Sequence, residues 1–258
     1  MPVLLVGCGR MGSAMARGWA GSEEVLVYDP LAAPLPDGTR RLDALDRAPR
    51  GDLVVVLAVK PQIFGSLGPA LRSLADGGAL FVSIMAGITI GGLSAALGGA
   101  GRIVRAMPNT PAAIGHGITA AVPGSAITAG DRSRVDALLA ATGALVWLED
   151  EAQMDAVTAV SGSGPAYFFR FAEALAMAGA KAGLPPSIAM QLARTTFTGA
   201  AALADQDAAP LAELRRQVTS PGGTTAAGLG EMDRGDAIDR LAAAMVGAAA
   251  ARSRELAG

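Results

Sequence analysis

Residues 3–12 read VLLVGCGRMG, and this stretch decides the fold of the chain. The apolar run at 3–6 is typical of a short buried strand, and the glycine-rich turn after it opens a helical segment. A second apolar strand is predicted at residues 25–28 and ends at Asp29. Strand, tight turn, helix and strand in this order begin a βαβ unit, which predicts a parallel sheet.

The glycines of this turn, Gly7, Gly9 and Gly12, have the GxGxxG spacing of dinucleotide-binding proteins. The first allows a tight turn, the second lets a pyrophosphate approach the backbone, and the third lets the helix pack on the strand. The helix N-terminus supplies N–H groups and a positive dipole end. Asp29 can accept hydrogen bonds from ribose hydroxyls. In this context the pattern predicts a dinucleotide site, and the alternative is a set of turn glycines without a ligand.

The other predicted strands also alternate with helical segments. They lie at residues 53–59, 80–84, 102–106 and 120–122. The first of them is unbroken apolar sequence, as in a central parallel strand covered on both faces. The fold class predicted for residues 1–150 is therefore α/β, a Rossmann-type, doubly wound and mostly parallel sheet.

Residues 151–258 contain no convincing strand and predict an all-α domain. The predicted helices lie at residues 153–182, 187–204, 211–217, 224–233 and 237–256. The last helix has an Ala-rich apolar stripe, whose length favours an interface between two chains over core packing.

Composition excludes several classes of function. The net charge is −2, so the chain lacks the basic surface that nucleic-acid backbones require. Its one histidine, His116, is too little for a His-based metal site or a Ser-His-Asp triad, so we expect no metal. The single cysteine, Cys8, cannot form a disulfide within the chain. No signal peptide is expected, because no basic n-region precedes the apolar run at residues 3–6, and no apolar run reaches the roughly 20 residues that span a bilayer. A cytoplasmic protein is expected.

Two predicted strand ends lie where α/β proteins bind ligands. The sequence AVKP follows one strand at Ala58, Val59, Lys60 and Pro61, and MAG follows the next at residues 85–87. Ligands of open α/β sheets bind outside the carboxyl ends of the strands. Each segment alone is explained by an ordinary turn, but together they predict one crevice.

Three further segments are hard to explain by packing alone: MPNTP at 107–111, SGSGPAY at 161–167 and TSPGGTT at 219–225. The second places glycines and a proline inside a predicted helix, which is unfavourable. The third precedes a helix, so its backbone N–H groups can bind a carboxylate. An ordinary turn between helices is the alternative there.

Taken together and in this order, the motifs GCGRMG, AVKPQ, RAMPNTPA, AVSGSGPAY and VTSPGGTT resemble the pyrroline-5-carboxylate reductase family over essentially the whole chain. The resemblance implies an N-terminal Rossmann domain and a C-terminal helical domain through which two chains form a homodimer, often within a larger ring. It also implies the reduction of the C=N bond of 1-pyrroline-5-carboxylate to L-proline with NADPH or NADH.

The resemblance further implies roles for individual residues. The substrate carboxylate would be held by Ser220, Gly222, Gly223 and Thr224, and the hydroxyl of Thr225 would reach the ring nitrogen. Glu151 matches a glutamate near the substrate, so Thr225, Glu151 and Ser220 are the candidate catalytic residues. Gln217 stands where some members carry Asn. The residues that match cofactor contacts are Gly7, Cys8, Gly9, Arg10, Met11, Gly12, Asp29, Ala58, Val59, Lys60, Pro61, Met85, Ala86, Gly87 and Asn109.

Three features of the sequence bear on the choice of cofactor and on the alternative functions. Many members carry a neutral or basic residue at the position of Asp29, so Asp29 favours NADH against the family's NADPH habit. A β-hydroxyacid dehydrogenase would need a lysine on an early helix of the second domain, but Lys181 lies far along its helix. A general imine reductase or a non-catalytic NAD-binding sensor or scaffold would not require the SPGGTT turn.

Overall fold

The structure is a computed structural model that describes residues 2–30, 34–99 and 101–257. The chain forms two compact units. One comprises Met1–Ser163 together with Ala249–Gly258 and is called the sheet unit here. The other comprises Gly164–Ala248 and is called the helical unit.

The sheet unit is built on a mostly parallel sheet, as predicted. Within the described ranges its strands are β1 (Pro2–Val6), β2 (Glu24–Tyr28), β3 (Thr39–Arg41), β4 (Val54–Leu57), β5 (Leu80–Ser83), β6 (Arg102–Met107), β7 (Gly117–Pro123) and β8 (Gly143–Trp147). Their order across the sheet is β3-β2-β1-β4-β5-β6-β7-β8, and only the β6–β7 pair is antiparallel. From β1 the strand order runs outward in one direction through β2 to β3 and in the other direction through β4 to β5. Sheets of this kind bind ligands at such a switch point, here between β1 and β4.

Both faces of the sheet are covered. The helices that lie between its strands in sequence are α1 (Arg10–Trp19), α2 (Pro61–Asp76), α3 (Ile90–Ala96) and α4 (Ala129–Ala140). Alternate residues of β1 belong to different cores: Leu4 and Val6 pack in one cluster, Val3 and Leu5 in the other. Because successive strand side chains point to opposite faces, the uninterrupted apolar runs mark strands buried on both sides.

Two strands were not predicted from the sequence. β3 is a short edge strand of Thr and Arg residues that are mostly exposed, so it has no apolar run. β8 is only partly buried along its length and pairs in register with β7, from Gly117 opposite Gly143 to Ala121 opposite Trp147. Both lie at the edges of the sheet, where residues stay partly exposed to solvent and no continuous apolar run is needed.

The long helix predicted at residues 153–182 is wrong, because the structure interrupts it. A 3₁₀ turn at Glu151–Gln153 leads into α5 (Met154–Val157), and Thr158–Gly162 is π-helical before α6 (Gly164–Lys181) begins. The N–H of Ser163 donates to the carbonyl of Thr158 at 2.9 Å, the i→i+5 bond of a π-turn.

Packing explains the position of this interruption. A Cβ placed on Gly162 would lie 3.1 Å from the terminal methyl of Met107, so the glycine lets this backbone approach the end of β6. Met154 and Ala159 are fully buried. For this reason residues 151–163 belong to the sheet unit, although the predicted domain boundary lies at residue 150.

The helical unit contains α6, α7 (Pro186–Gln206), α8 (Leu211–Gln217), α9 (Thr224–Asp233) and most of α10 (Ala237–Ala257). The last four helices are confirmed close to their predicted bounds. From Ala249 onward α10 belongs to the sheet unit, where the hydroxyl of Ser253 donates to Asp155 Oδ1 at 2.6 Å. None of the helices in the described part of the chain is long and apolar enough to span a bilayer.

Candidate active site

The glycine-rich turn between β1 and α1 depends on two of its glycines for its shape. Gly7 has a φ of +96°, and its N–H donates to the carbonyl of Tyr28 at 2.9 Å. A Cβ on Gly7 would lie 2.8 Å from the carbonyl group of Ala58 at the end of β4. A Cβ on Gly12 would lie 2.3 Å from the carbonyl oxygen of Gly7. These glycines therefore bring β1, α1 and the end of β4 together.

The middle glycine has a different environment. Gly9 occupies the N-cap position of α1, and no side chain among the described residues caps the helix there. A Cβ on Gly9 would meet nothing within 4 Å. The first backbone N–H groups of a helix have no partner within the helix. An uncapped N-terminus beside open space is suited to bind a phosphate.

A cavity of about 210 Å³ adjoins this turn at the carboxyl ends of β1, β2 and β4. It brings together six residues predicted to contact the cofactor and four that were not: Gly7, Gly9, Asp29, Ala58, Val59 and Lys60, with Tyr28, Pro30, Ile63 and Leu67. Ile63 and Leu67 lie four residues apart on α2 and so share one face of it. In the sequence, two apolar residues four apart in the helix that begins at Pro61 could have identified Ile63 and Leu67 as residues that line this cavity.

Other predicted cofactor residues lie in the turn or the start of a helix without lining that cavity. Arg10 and Met11 begin α1, and Pro61 begins α2, where proline is favoured because its missing N–H would have no partner. Cys8 is buried and its Sγ lies 3.3 Å from Ser13 Oγ, which itself donates to the carbonyl of Cys8 at 2.8 Å. Cys8 therefore fills space beneath the turn.

The carboxylate of Asp29 is held against the glycine-rich turn. Its Oδ2 accepts a hydrogen bond from the N–H of Cys8 at 2.7 Å. Arg41 donates to the carbonyl oxygen of Asp29 at 3.1 Å, whereas Arg40 pairs with Glu24 at 2.8 Å. Of these two arginines, Arg41 is therefore the one whose guanidinium lies at the end of β2 beside the cavity.

The segment after β5 forms a second turn at the same edge of the sheet. Met85 is buried, Ala86 is exposed, and Gly87 has a φ of +77°. The N–H of Met85 donates to Ser83 Oγ at 3.3 Å. Asn109 is nearly buried, and its Oδ1 accepts a hydrogen bond from the N–H of Ile118 at 3.0 Å. The amide of Asn109 thus braces the loop between β6 and β7.

Glu151, a candidate catalytic residue, lies in an ion pair. Its Oε1 accepts hydrogen bonds from Arg105 Nη1 at 2.7 Å and from the N–H of Ile90 at 2.8 Å. Arg105 is nearly buried within β6. Glu151 thus joins β6 and the start of α3 to the segment that precedes α5. These partners were not predicted from the sequence.

The SPGGTT turn lies in the helical unit and opens α9. Gly222 has a φ of +70°, and the N–H of Gly223 donates to the carbonyl of Ser220 at 3.0 Å. Gly223 is the N-cap residue, and no described side chain caps the helix. Ser220, Thr224 and Thr225 are exposed. The turn therefore presents backbone N–H groups and hydroxyls together, as carboxylate binding requires.

Gln217 is the exposed last residue of α8. The pKa of Glu213 is lowered first by the hydrogen bonds from Arg216, at 2.8 and 2.5 Å, and also by a hydrogen bond from Gln217. Gln217 lies three residues before the SPGGTT turn, and substrate contact by Gln217 stays a prediction.

The helical unit leaves large apolar side chains exposed. Within the described part of this unit, Ala176, Ala189 and Ala193 are buried, whereas Phe168 is 61% and Phe171 51% exposed. A cavity of about 530 Å³ runs beside them, lined by residues of α6 and α7 together with Leu211. Exposed apolar patches of this size mark protein–protein interfaces.

Comparison with known proteins accounts for both units. Residues 151–256 match the family model for pyrroline-5-carboxylate reductase dimerisation. A pyrroline-5-carboxylate reductase of Pseudomonas aeruginosa is 44% identical over 204 residues, covering 79% of this chain and 74% of that protein.

Solved structures agree with the sequence comparison. The Coxiella burnetii pyrroline-5-carboxylate reductase aligns with a TM-score of 0.90 at 30% identity, over 98% of this chain and 97% of that one. The Plasmodium falciparum pyrroline carboxylate reductase, solved with NADP bound, aligns with a TM-score of 0.80 at 29% identity, over 100% and 98% of the two chains. By fold, by sequence over most of its length and by its helical region, the chain belongs to the pyrroline-5-carboxylate reductase family.

Proposed function

We propose that this protein reduces the C=N bond of 1-pyrroline-5-carboxylate to give L-proline, with NADPH or NADH as the reductant, and that it acts as a homodimer. The observation that carries the proposal is the similarity to pyrroline-5-carboxylate reductases over both units. A cytoplasmic location is part of the proposal, since a lone thiol and a nicotinamide cofactor suit a reducing compartment.

The residues of the sheet unit fit a dinucleotide. The open space at Gly9 and the uncapped start of α1 suit the pyrophosphate, and the carboxylate of Asp29 stands at the end of β2 where a ribose would be bound. The apolar side chains of Ile63 and Leu67 offer a surface for the adenine ring. Once bound, the cofactor supplies the hydride.

The substrate brings its own electrophile, because a protonated cyclic imine accepts hydride readily. The protein therefore needs no nucleophile, and its task is to hold the imine carbon in near-attack geometry, which can contribute about 7–11 kcal/mol. The backbone N–H of Thr224 would bind the substrate carboxylate, whereas the N–H of Gly223 donates to the carbonyl of Ser220 in this structure. The hydroxyl of Thr225 would donate a hydrogen bond to the ring nitrogen as that atom gains its lone pair.

The proposal is tested by following the oxidation of NADH and of NADPH with and without pyrroline-5-carboxylate, while proline is measured as the product. We expect substrate-dependent oxidation and an equal amount of proline. A cyclic imine without the carboxylate and a β-hydroxyacid with the oxidised cofactor serve as controls. Equal rates with the imine that lacks a carboxylate, or no reaction with pyrroline-5-carboxylate, would contradict the proposal.

A further inference from the structure

The strand β6 carries two arginines, and each is paired with a carboxylate of the sheet unit. At the start of the strand Arg102 pairs with Asp131 of α4. Near its end Arg105 pairs with Glu151 at 2.7 Å, with side-chain exposures of 9% and 27%. The two pairs are alike in chemistry and differ in what they hold in place.

The Arg105–Glu151 pair is connected to the turn that follows β5. Glu151 Oε1 also accepts the N–H of Ile90, the first residue of α3. At the other side of the turn, the N–H of Met85 donates to Ser83 Oγ. Ser83 lies opposite Arg105 in the β5–β6 register. The turn at residues 85–87 is therefore fastened on both sides, at Met85 by Ser83 and at Ile90 by Glu151.

We infer that Glu151 is a positioning residue, which keeps the turn at residues 85–87 in the conformation that receives the cofactor and transfers no proton itself. The inference rests on the proposed function and on the contact between that turn and the cofactor that the family resemblance predicts. A carboxylate oxygen that accepts from an arginine and from a backbone N–H acts as a hydrogen-bond acceptor. The two donors hold Oε1 in place, and Arg105 cannot supply Glu151 with a proton because its guanidinium stays protonated.

Two substitutions separate positioning from proton transfer. Glu151→Gln keeps a carbonyl oxygen that can accept both hydrogen bonds, whereas Glu151→Ala removes the acceptor and leaves Arg105 unpaired. A misplacement of about 1 Å can cost about a hundredfold in rate. We expect Glu151→Ala to lower kcat/KM by at least about tenfold, and Glu151→Gln by about threefold or less. The dependence of kcat on pH should keep the shape of the parent's in both variants.

Asp131→Asn is the matched control, because it weakens the other arginine pair of β6. All variants are compared with the parent in the full-length protein for kcat, KM, dinucleotide binding by fluorescence and the free energy of unfolding. We expect Asp131→Asn to lower stability and to keep kcat. Glu151→Ala should lower kcat several-fold more than it weakens dinucleotide binding, most of which comes from the glycine-rich turn.

The outcomes divide clearly. If Glu151→Gln is as damaging as Glu151→Ala and loses one limb of the pH profile, Glu151 transfers a proton and the inference is wrong. It is equally wrong if Glu151→Ala keeps the parental kcat, or if Asp131→Asn loses as much kcat at the same loss of stability. Should Glu151→Ala not fold, the pH profile of Glu151→Gln alone decides. Absence of pyrroline-dependent oxidation in the parent would instead reject the proposed function.

Discussion

The two units of this protein bury their apolar residues to very different extents. In the sheet unit, large side chains such as Trp19 and Phe81 are fully buried between the sheet and its helices. In the helical unit, Phe168, Phe169 and Phe171 on one helix are each more than half exposed. The comparison teaches that the sheet unit completes its core within one chain, whereas the helical unit needs a second chain to cover α6 and α7.

The charges of the two units differ in the same way. The sheet unit contains ion pairs with at least one nearly buried partner, Arg102–Asp131 and Arg105–Glu151. The pairs described in the helical unit, such as Arg216–Glu213 and Arg234–Glu231, join residues three apart on exposed helix surfaces. Exposed pairs of this kind contribute at most about 1 kcal/mol. Within the described residues, the ion pairs with a nearly buried partner thus lie in the sheet unit.

The largest expected effect tests whether the exposed phenylalanines of the helical unit lie in an interface with a second chain. Phe171→Asp places a charge in the surface that a second chain would cover, and burying an unpaired charge is strongly unfavourable. We expect a monomer without measurable activity, checked by sedimentation and by the reductase assay. Ile114→Asp makes the same kind of change at a residue of the sheet unit that is 75% exposed. A dimeric Phe171→Asp protein, or a monomeric Ile114→Asp protein, would contradict the division between the units.

The next effect concerns the hydroxyls at the start of α9. Thr225→Val removes the proposed hydrogen bond to the ring nitrogen, and a bond to a charged group contributes about 1.5–3 kcal/mol. We expect kcat/KM to fall about ten- to a hundredfold, with dinucleotide affinity unchanged. Thr224→Val is the matched control, because the proposal uses only the backbone N–H of Thr224, and its loss should be much smaller. Equal losses in the two variants would remove Thr225 from the mechanism.

A third prediction concerns acid stability of the sheet unit. The hydrogen bonds from Arg102, followed by those from Thr128, lower the pKa of Asp131 to about 2 from its ordinary 3.8. Because the folded pKa is the lower one, the stabilisation is complete above the ordinary pKa and is lost as the pH falls toward about 2. It contributes about 2 kcal/mol at neutral pH.

Denaturant unfolding of the parent and of Asp131→Asn at several pH values measures this contribution. We expect the difference between them to be largest near neutral pH and to shrink between about pH 4 and pH 2. A difference that stays constant down to pH 2 would show that Asp131 does not titrate in this window.

The smallest effect concerns the cavity beside the glycine-rich turn, where we propose that the cofactor binds. The carboxylate of Asp29 favours ribose hydroxyls and repels a 2′-phosphate, and solvent at the cavity mouth screens this repulsion to about 1–2 kcal/mol. We expect Asp29→Ser to gain several-fold in kcat/KM with NADPH and to lose with NADH. Arg41 donates to the carbonyl oxygen of Asp29, and we expect Arg41→Ala to lower kcat/KM mainly with NADPH. If the cofactor ratio is unchanged in Asp29→Ser, Asp29 is not the selector.

Much of the sheet unit could be predicted because its buried strands are continuous apolar runs in the sequence. The turn at Gly7 was also predictable, because its conformation requires glycine for steric reasons. The same method missed β3 and β8, which have no apolar run. It also missed the π-helical break at residues 158–162, where a Cβ on Gly162 would lie 3.1 Å from the terminal methyl of Met107, a residue distant in sequence. Glu151 shows the limit for a site: the resemblance marks the residue, but its partners Arg105 and Ile90 are distant in sequence and appear only in the fold.

The passage of α10 from one unit into the other has a consequence for how the protein is made. Residues 249–257 are synthesised after the whole helical unit, and Ser253 then bonds to Asp155, which left the ribosome nearly a hundred residues earlier. Domains generally fold as units, starting from the N-terminus, during synthesis. Here the first 163 residues can form most of the sheet unit early, yet they acquire their final contacts only when translation has passed the helical unit. A sheet unit on a ribosome stalled late within residues 164–248 would therefore still lack the end of α10 and the hydrogen bond between Ser253 and Asp155.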